Sequence, residues 1–487
     1  MNPKLVIGLD IGTGGARAVA VDSEGNVVSS ASHISPPPFM NGRGGSEQVP
    51  DFWIVAATSA LALCVKGLAE GKYRPSDIGA ICLDATSGTI VILDENKQPL
   101  YPGLMHNDCR AFEEAELLNV KLASHCEQVG YRFGATFALP KILWLQRNFP
   151  DLFEKARLVA HQADIIVGRL TGVYGLTDPS NALKTGFNLV TNRWPDELED
   201  LGIGEIFPFV VPSGEELGLL SPEVAEEIGI PAGTPILAGV TDSTAAFLAT
   251  GASEPGDFCS SLGTTLALKG VSKALVRDPH GVVYCHRHPS GDWLPGGASN
   301  VGGACLQAHF GGGDLAHLDG LAQDRFPSPS LCYPLVQVGE RFPFSDPIAE
   351  GFFDPADDPV ELYLSMLQGV ALVERWCYER LERLGVEVSS SVFTSGGGSK
   401  SDVWNQVRAN VLQKGILRCR SSEAAFGVAV LAGSKVFYGG DLVRASKAMT
   451  ARAEIFEPDR RFEAWAEESL GRLKDRCRDH GWIGEDG

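Results

Sequence analysis

The chain opens with an apolar run over residues 5–9 that breaks at a glycine-rich turn and resumes as "ARAVAVD". In that second run Arg17, Val19 and Val21 point one way and Ala16, Ala18 and Ala20 the other. Such a period of two predicts a strand. Residues 22–26, "DSEGN", form a turn cluster, and "VVSSAS" predicts a third strand. No helix follows the glycines directly, and Gly8, Gly12, Gly14 and Gly15 lack GxGxxG spacing. A dinucleotide-binding unit is excluded on both counts.

Downstream, three prolines and clustered glycines predict a loop over 32–50. Residues 51–69 predict a mostly buried helix with Asp51 near its start. "IGAICLDATSGTIVILDENKQPL" predicts a buried strand, a polar turn at 85–88, a second strand and a turn. Helical patterns dominate from 139 to about 169. A second glycine-threonine turn lies in "GDFCSSLGTTLALKGVS", over 256–272, again between apolar strands. Two such hairpins half a chain apart predict a duplicated architecture. Residues 362–385 predict a long amphipathic helix stopped by Gly385. "SVFTSGGGSKSDVWNQVRANVL" then predicts strand, glycine turn and helix, and 423–437 a small-residue helix. The charged tail from Glu454 predicts a solvated peripheral helix.

At 487 residues the chain exceeds what one core usually supports, which predicts two domains. A formal net charge of −20 argues against nucleic acid or an acidic membrane as partner. No stretch is expected to reach the ~18 apolar residues of a membrane span. The first residues lack the features of a signal peptide. Eleven cysteines without a CxxC pair predict reduced, buried thiols and a cytoplasmic protein.

Six segments, in order, carry a resemblance. "GLDIGTGGARA" resembles the first phosphate hairpin of the FGGY carbohydrate kinases, and "GRGGSEQVPDFW" the loop before that family's first long helix. "LDATSGTIVILDENKQPL" resembles the substrate-side strand and turn, and "AGVTDSTAAFLATGA" the catalytic-aspartate segment. "SSLGTTLAL" is similar to the second phosphate hairpin and "TSGGGSKSDVWNQ" to the adenosine turn. "DATSGT", "QADIIVGRLTG", "DPSNALKTGF" and "GGASNVGGA" most resemble the D-ribulokinase-like branch, also described as xylulokinase-like, of cyanobacteria and plastids. The resemblance implies an α/β fold of two actin-like ATPase (ribonuclease H-like) domains flanking a central cleft. Residues 1–249, completed by 423–487, would carry most of the sugar site, and 250–422 most of the nucleotide site. It implies an ATP- and Mg²⁺-dependent kinase, a monomer or homodimer, acting on a small sugar. D-ribulose comes first, D-xylulose second and other ketoses or polyols third.

The residues supply physical reasons for these roles. Glycine turns let backbone N–H groups approach phosphate oxygens, so Gly12, Thr13 and Gly14, with Gly263, Thr264 and Thr265, would grip a triphosphate; the alternative is a pair of plain tight turns. Asp10 sits between Leu9 and Ile11, where burying a carboxylate needs compensation. A hydrated Mg²⁺ or the N–H groups of its own turn would give it. Asp242 ends an apolar strand and reads either as a helix N-cap or, by the resemblance, as the base that deprotonates a sugar hydroxyl. Asp10, Thr13, Asp84, Ser87 and Asp242 are the expected sugar contacts, although the family more often has Gly where this chain has Ala85. Asp108 and Arg110 read as a structural salt bridge more readily than as substrate contacts. Gly397 and Gly398 would pass close to adenosine, with Ser401 beside the base where the family often has Asn. Trp404 would stack on adenine or pack in the core. A non-enzymatic actin-like ATP switch is the rival reading; it would need no sugar-facing base.

Overall fold

The computed structural model describes residues 3–68, 71–311, 313–450 and 452–484. It divides into two compact units: residues 1–251, 286–291 and 422–451 form the first, and 252–285, 292–421 and 452–487 the second.

The first unit is built on a mixed sheet of Leu5–Gly12 (β1), Gly15–Asp22 (β2), Val27–Ile34 (β3), Ile78–Ala85 (β4), Glu216–Leu219 (β5) and Pro235–Thr241 (β6). Its order is β5-β6-β4-β1-β2-β3. Strands β1 to β3 form an antiparallel meander, β1, β4 and β6 run parallel, and β5 closes the edge antiparallel. In the second unit lie Phe258–Leu262 (β7), Leu266–Gly270 (β8), Trp293–Ser299 (β9), Ser391–Ser395 (β10), Gly415–Cys419 (β11) and Arg452–Phe456 (β12). They run in the order β9-β8-β7-β10-β11-β12. Here β7 to β9 are the antiparallel meander, β7, β10 and β11 are parallel, and β12 is the antiparallel edge. The two sheets thus share one pattern of pairing, as the paired hairpins predict.

Each unit has its own core. Strands β1, β2 and β4 bury Leu5, Ile7, Leu9, Ala18, Ile81 and Leu83 against the Pro50–Leu68 helix and its neighbours. The core of the second unit gathers around the Pro359–Arg383 helix, which Asp358 caps by accepting from Val360 and Glu361 N–H groups. Within the first unit the Ala424–Tyr438 helix packs on β1 and on the Asp242–Ala249 helix. Glycine makes both approaches possible: a Cβ on Gly8 would stand 1.8 Å from the Ala425 carbonyl oxygen, and one on Gly427 1.7 Å from that of Ala245.

Several expectations need correction. The Pro50–Leu68 helix, 19 residues long, is long and apolar enough by composition to cross a membrane, against the expectation that no stretch would be. Its Trp53, Ala57, Leu61 and Cys64 are buried in the unit's core, as in the core helix of a globular domain. Ala69, the last residue of that predicted helix, lies outside the described residues. The 32–50 loop contains two short strands, Phe39–Met40 and Ser46–Gln48. The helical stretch 139–169 is interrupted by the strand Leu158–His161, where four residues pair with Ile90–Leu93.

The tail, expected to complete the first unit, joins the second instead. Strand β12 pairs with β11, and the Glu463–Asp479 helix buries Ala466, Leu470, Leu473 and Cys477. That apolar stripe is masked in the sequence by the charges around it. The cysteines are all free and most are buried, Cys109 alone being exposed.

Candidate functional site

Two groupings emerge, one in each unit. In the first, the parallel register sets Asp10 of β1 opposite Asp84 of β4, and Asp84 opposite Val240 of β6. Asp242 follows β6 directly, so three carboxylates stand at the same ends of three adjacent strands. Crevices outside the carboxyl ends of parallel strands are where α/β sheets bind ligands.

Asp84 is 0 % exposed. Neither of its oxygens receives a hydrogen bond from a donor group among the described residues. It lies against Asp10, and two carboxyl groups in contact can bond only by sharing a proton. Burial, then the Asp10 charge, holds the Asp84 carboxyl well above the usual range; burial also raises Asp10. Asp10 takes no backbone N–H of its own turn, which removes that alternative among the described residues. The negative charge of Asp242 acts on Asp10, Asp84, His106 and Lys184, so these five groups share one electrostatic neighbourhood.

The N-cap reading of Asp242 is not adopted. Thr241 occupies the cap, and partly buried Asp242 is the first residue of the Asp242–Ala249 helix, its Oδ1 accepting from Ser243 N–H at 2.6 Å. Thr13 sits at the tip of the β1–β2 hairpin, 3.5 Å from His106 Nδ1 through its hydroxyl. Its carbonyl accepts from Gln48 at 3.1 Å. Cβ atoms on Gly12 and Gly14 would meet little or nothing, so this tip is open.

The turn after β4 is braced from outside. Lys184 donates to the Ser87 carbonyl at 3.3 Å, and Lys141 to those of Gly88 at 3.0 Å and Met105 at 2.6 Å. Thr86 is fixed by Gln162, hydroxyl to Oε1 at 2.7 Å. Ser87 Oγ, Gln162 Nε2 and Asn181 Oδ1 remain buried without partners among the described residues. Burial pushes Lys141 down to about 7 and lowers Lys184 and His106 as well. His106, Lys141, Gln162, Asn181 and Lys184 were not singled out from sequence, although all but Lys141 lie inside segments carrying the resemblance or the Asp108 motif. Asp108 and Arg110 form the expected salt bridge, with Arg110 Nη2 at 2.8 Å from Asp108 and 2.7 Å from Glu47.

In the second unit a cavity of about 750 Å³ is lined by Gly263, Thr264, Gly303, Gln307, Gly397, Gly398, Ser401 and Trp404, among others. This volume suits a nucleotide-sized ligand. Thr265 does not line it; its carbonyl closes the β7–β8 turn by accepting from Gly263 N–H at 3.0 Å. The turn is tied to the next helix by Gly303 N–H to Gly263 O at 2.8 Å and Ala304 N–H to Thr264 O at 3.1 Å.

Beneath the Gly397–Lys400 turn lies a buried ion pair. Arg408 grips Glu374 with two bonds of 2.7 and 2.8 Å and donates to Thr394 at 2.6 Å and Asn405 at 3.2 Å. Asn405 in turn holds the Ser399 carbonyl at 2.7 Å. Ser401 caps the Asp402–Leu412 helix, its hydroxyl oxygen accepting from Trp404 N–H at 3.0 Å. Trp404 is 3 % exposed and donates its indole N–H to Leu367 at 3.2 Å. A Cβ on Gly398 would meet Trp404 at 3.1 Å, so the ring supports the turn from the core. Of the two readings of Trp404, the structure shows core packing, while an edge of the ring lines the cavity.

Among the described residues no group of three or more His, Cys, Asp or Glu side chains is gathered to hold a metal. A single carboxylate such as Asp10 suits an ion that keeps most of its waters and takes its remaining ligands from phosphates, as Mg²⁺ does.

The comparisons with known proteins agree with this layout. Models of the FGGY family of carbohydrate kinases match the chain, the N-terminal domain over residues 5–249 and the C-terminal domain over 259–436. Xylulose kinase of Bacillus subtilis (strain 168) is 26% identical over 469 residues, 93% of each chain. That of Escherichia coli (strain K12) is 28% identical over 425 residues, 84% of each. The crystal structure of xylulose kinase from Rhodospirillum rubrum, 26% identical, superposes with a TM-score of 0.87 over 98% of this chain and 99% of that one. The chain belongs to the FGGY family of carbohydrate kinases and is a sugar kinase.

Proposed function

We propose that the protein transfers the terminal phosphoryl group of ATP to a free ketopentose, D-xylulose ahead of D-ribulose. The observation that carries this reading is the convergence of Asp10, Asp84 and Asp242 at the ends of three neighbouring strands. The relatives' names support the choice of sugar: they are xylulose kinases, which reverses the order expected from sequence.

Asp242 takes the proton from the sugar's terminal hydroxyl as that oxygen bonds to the γ-phosphorus, and ADP leaves. Thr13, Asp84 and Ser87 hold the remaining hydroxyls. The buried oxygens of Asp84 and Ser87, unpartnered among the described residues, suit a ligand dense in donors and acceptors. Asp10 faces both sugar and metal; Mg²⁺, when bound, neutralises phosphate charge. Gly12, Thr13 and Gly14 of the first hairpin and Thr264 of the second offer backbone N–H groups to the phosphates. Gly397, Gly398, Ser401 and the edge of Trp404 border the adenosine.

The test is ADP release, coupled to a colour reaction, with D-xylulose, D-ribulose, L-ribulose, xylitol and glycerol. D-xylulose is expected to raise release at least about tenfold over the sugar-free rate, ahead of the other four. Release indifferent to every sugar would overturn the reading in favour of an ATP switch.

A further inference from the structure

Asp319 is the one carboxylate among the described residues lining the second-unit cavity. It lies on the Leu315–Ala322 helix, and the hydroxyl of buried Tyr363 donates to its Oδ1 at 2.8 Å. Burial, helped by this carboxylate, pushes the Tyr363 hydroxyl up, so it stays protonated and acts as the donor. One carboxylate oxygen is thereby fixed, while Oδ2 takes no hydrogen bond among the described residues.

A carboxylate repels a polyphosphate, so Asp319 cannot serve the phosphate end of a nucleotide. Around it Leu315, Ala316 and Tyr363 offer apolar and aromatic surface, which suits a base or a ribose. An ionised carboxylate only accepts. The nucleoside groups it can read are therefore donors: the exocyclic amine of adenine or a ribose hydroxyl.

We propose that Asp319, held by Tyr363, is a specificity-determining residue that accepts a hydrogen bond from the nucleoside and so selects the nucleotide. This rests on reading the cavity as the nucleotide pocket. A base bearing a carbonyl where adenine bears its amine would set acceptor against acceptor. Sites built around such a bond reject ligands lacking the donor strongly.

Titration calorimetry without sugar tests it, using ADP, IDP, 2′-deoxy-ADP and 3′-deoxy-ADP on the wild type, Asp319→Ala and Tyr363→Phe. If the amine is read, ADP binds the wild type at least about tenfold tighter than IDP. If a ribose hydroxyl is read, one deoxy-ADP is the weak ligand by a similar factor. Either preference should collapse to within about twofold in Asp319→Ala. Tyr363→Phe should keep part of it, and is read alone should Asp319→Ala fail to fold. Unchanged ratios in a variant that still binds ADP overturn the proposal. If no diphosphate binds the wild type, the nucleotide reading falls, and this inference with it.

Discussion

Around Asp84, buried oxygens and nitrogens stand without partners among the described residues, whereas beneath the Gly397–Lys400 turn the buried charges are answered side chain by side chain. The same pattern of strands underlies both regions. An unsatisfied buried polar group costs about 1–3 kcal/mol, so the first unit carries a standing penalty that a polyhydroxylated ligand bound there would relieve. The cavity of the second unit is lined in part by three glycine-bearing segments, and the Arg408 network braces the turn of one of them. One site is tuned by leaving groups unpaired, the other by pairing them.

That contrast breaks most visibly at Asp242. Asp242→Ala should lower turnover by about 10²–10⁴, while ADP affinity, measured by calorimetry, stays within about twofold. Near-normal turnover would remove Asp242 as the base.

In the second unit the expected loss is of stability. Arg408→Ala leaves the Glu374 carboxylate buried alone and should cost about 3–5 kcal/mol in denaturant unfolding. Replacing both partners together, Arg408→Met with Glu374→Met, should recover most of that loss, because no uncompensated charge remains. Equal losses in the single and double variants would show that charge pairing is not the cause.

A last effect sharpens the comparison through pH. Burial holds Lys141 at about 7 in the folded chain, against about 10.4 when unfolded. Between those values the unfolded chain binds a proton that the folded chain has released, so this group makes stability rise with pH across the window. Below about 7 its penalty is fully present. In Lys141→Met the melting temperature should lack that rise between pH 7 and pH 10; parallel profiles for variant and wild type would refute it.

Much of the layout is legible in the chain because hairpins and glycine turns are local. The β1–β2 and β7–β8 turns and the Gly397–Lys400 turn each announce themselves within a dozen residues. What is not legible depends on register and on distant partners. That Asp84 lies against Asp10 follows from parallel pairing of strands more than 60 residues apart. Trp404 reads equally as stacking plate or core residue until Leu367 is seen to take its N–H. Asp319 has no local signature at all, since its partner Tyr363 lies on another helix. The β12 strand is hidden because only two of its five residues, Ile455 and Phe456, are strand formers.

The Ala424–Tyr438 helix, seated on Gly8 of the first strand, sets a timetable for synthesis. Translation produces β1 long before the segment that covers this side of it, which emerges only after most of the second unit has been made. The nascent first unit must therefore wait with apolar strand surface bare, a state prone to aggregation. A chain cut short before residue 424 would have an Asp242 helix without the neighbour it docks against.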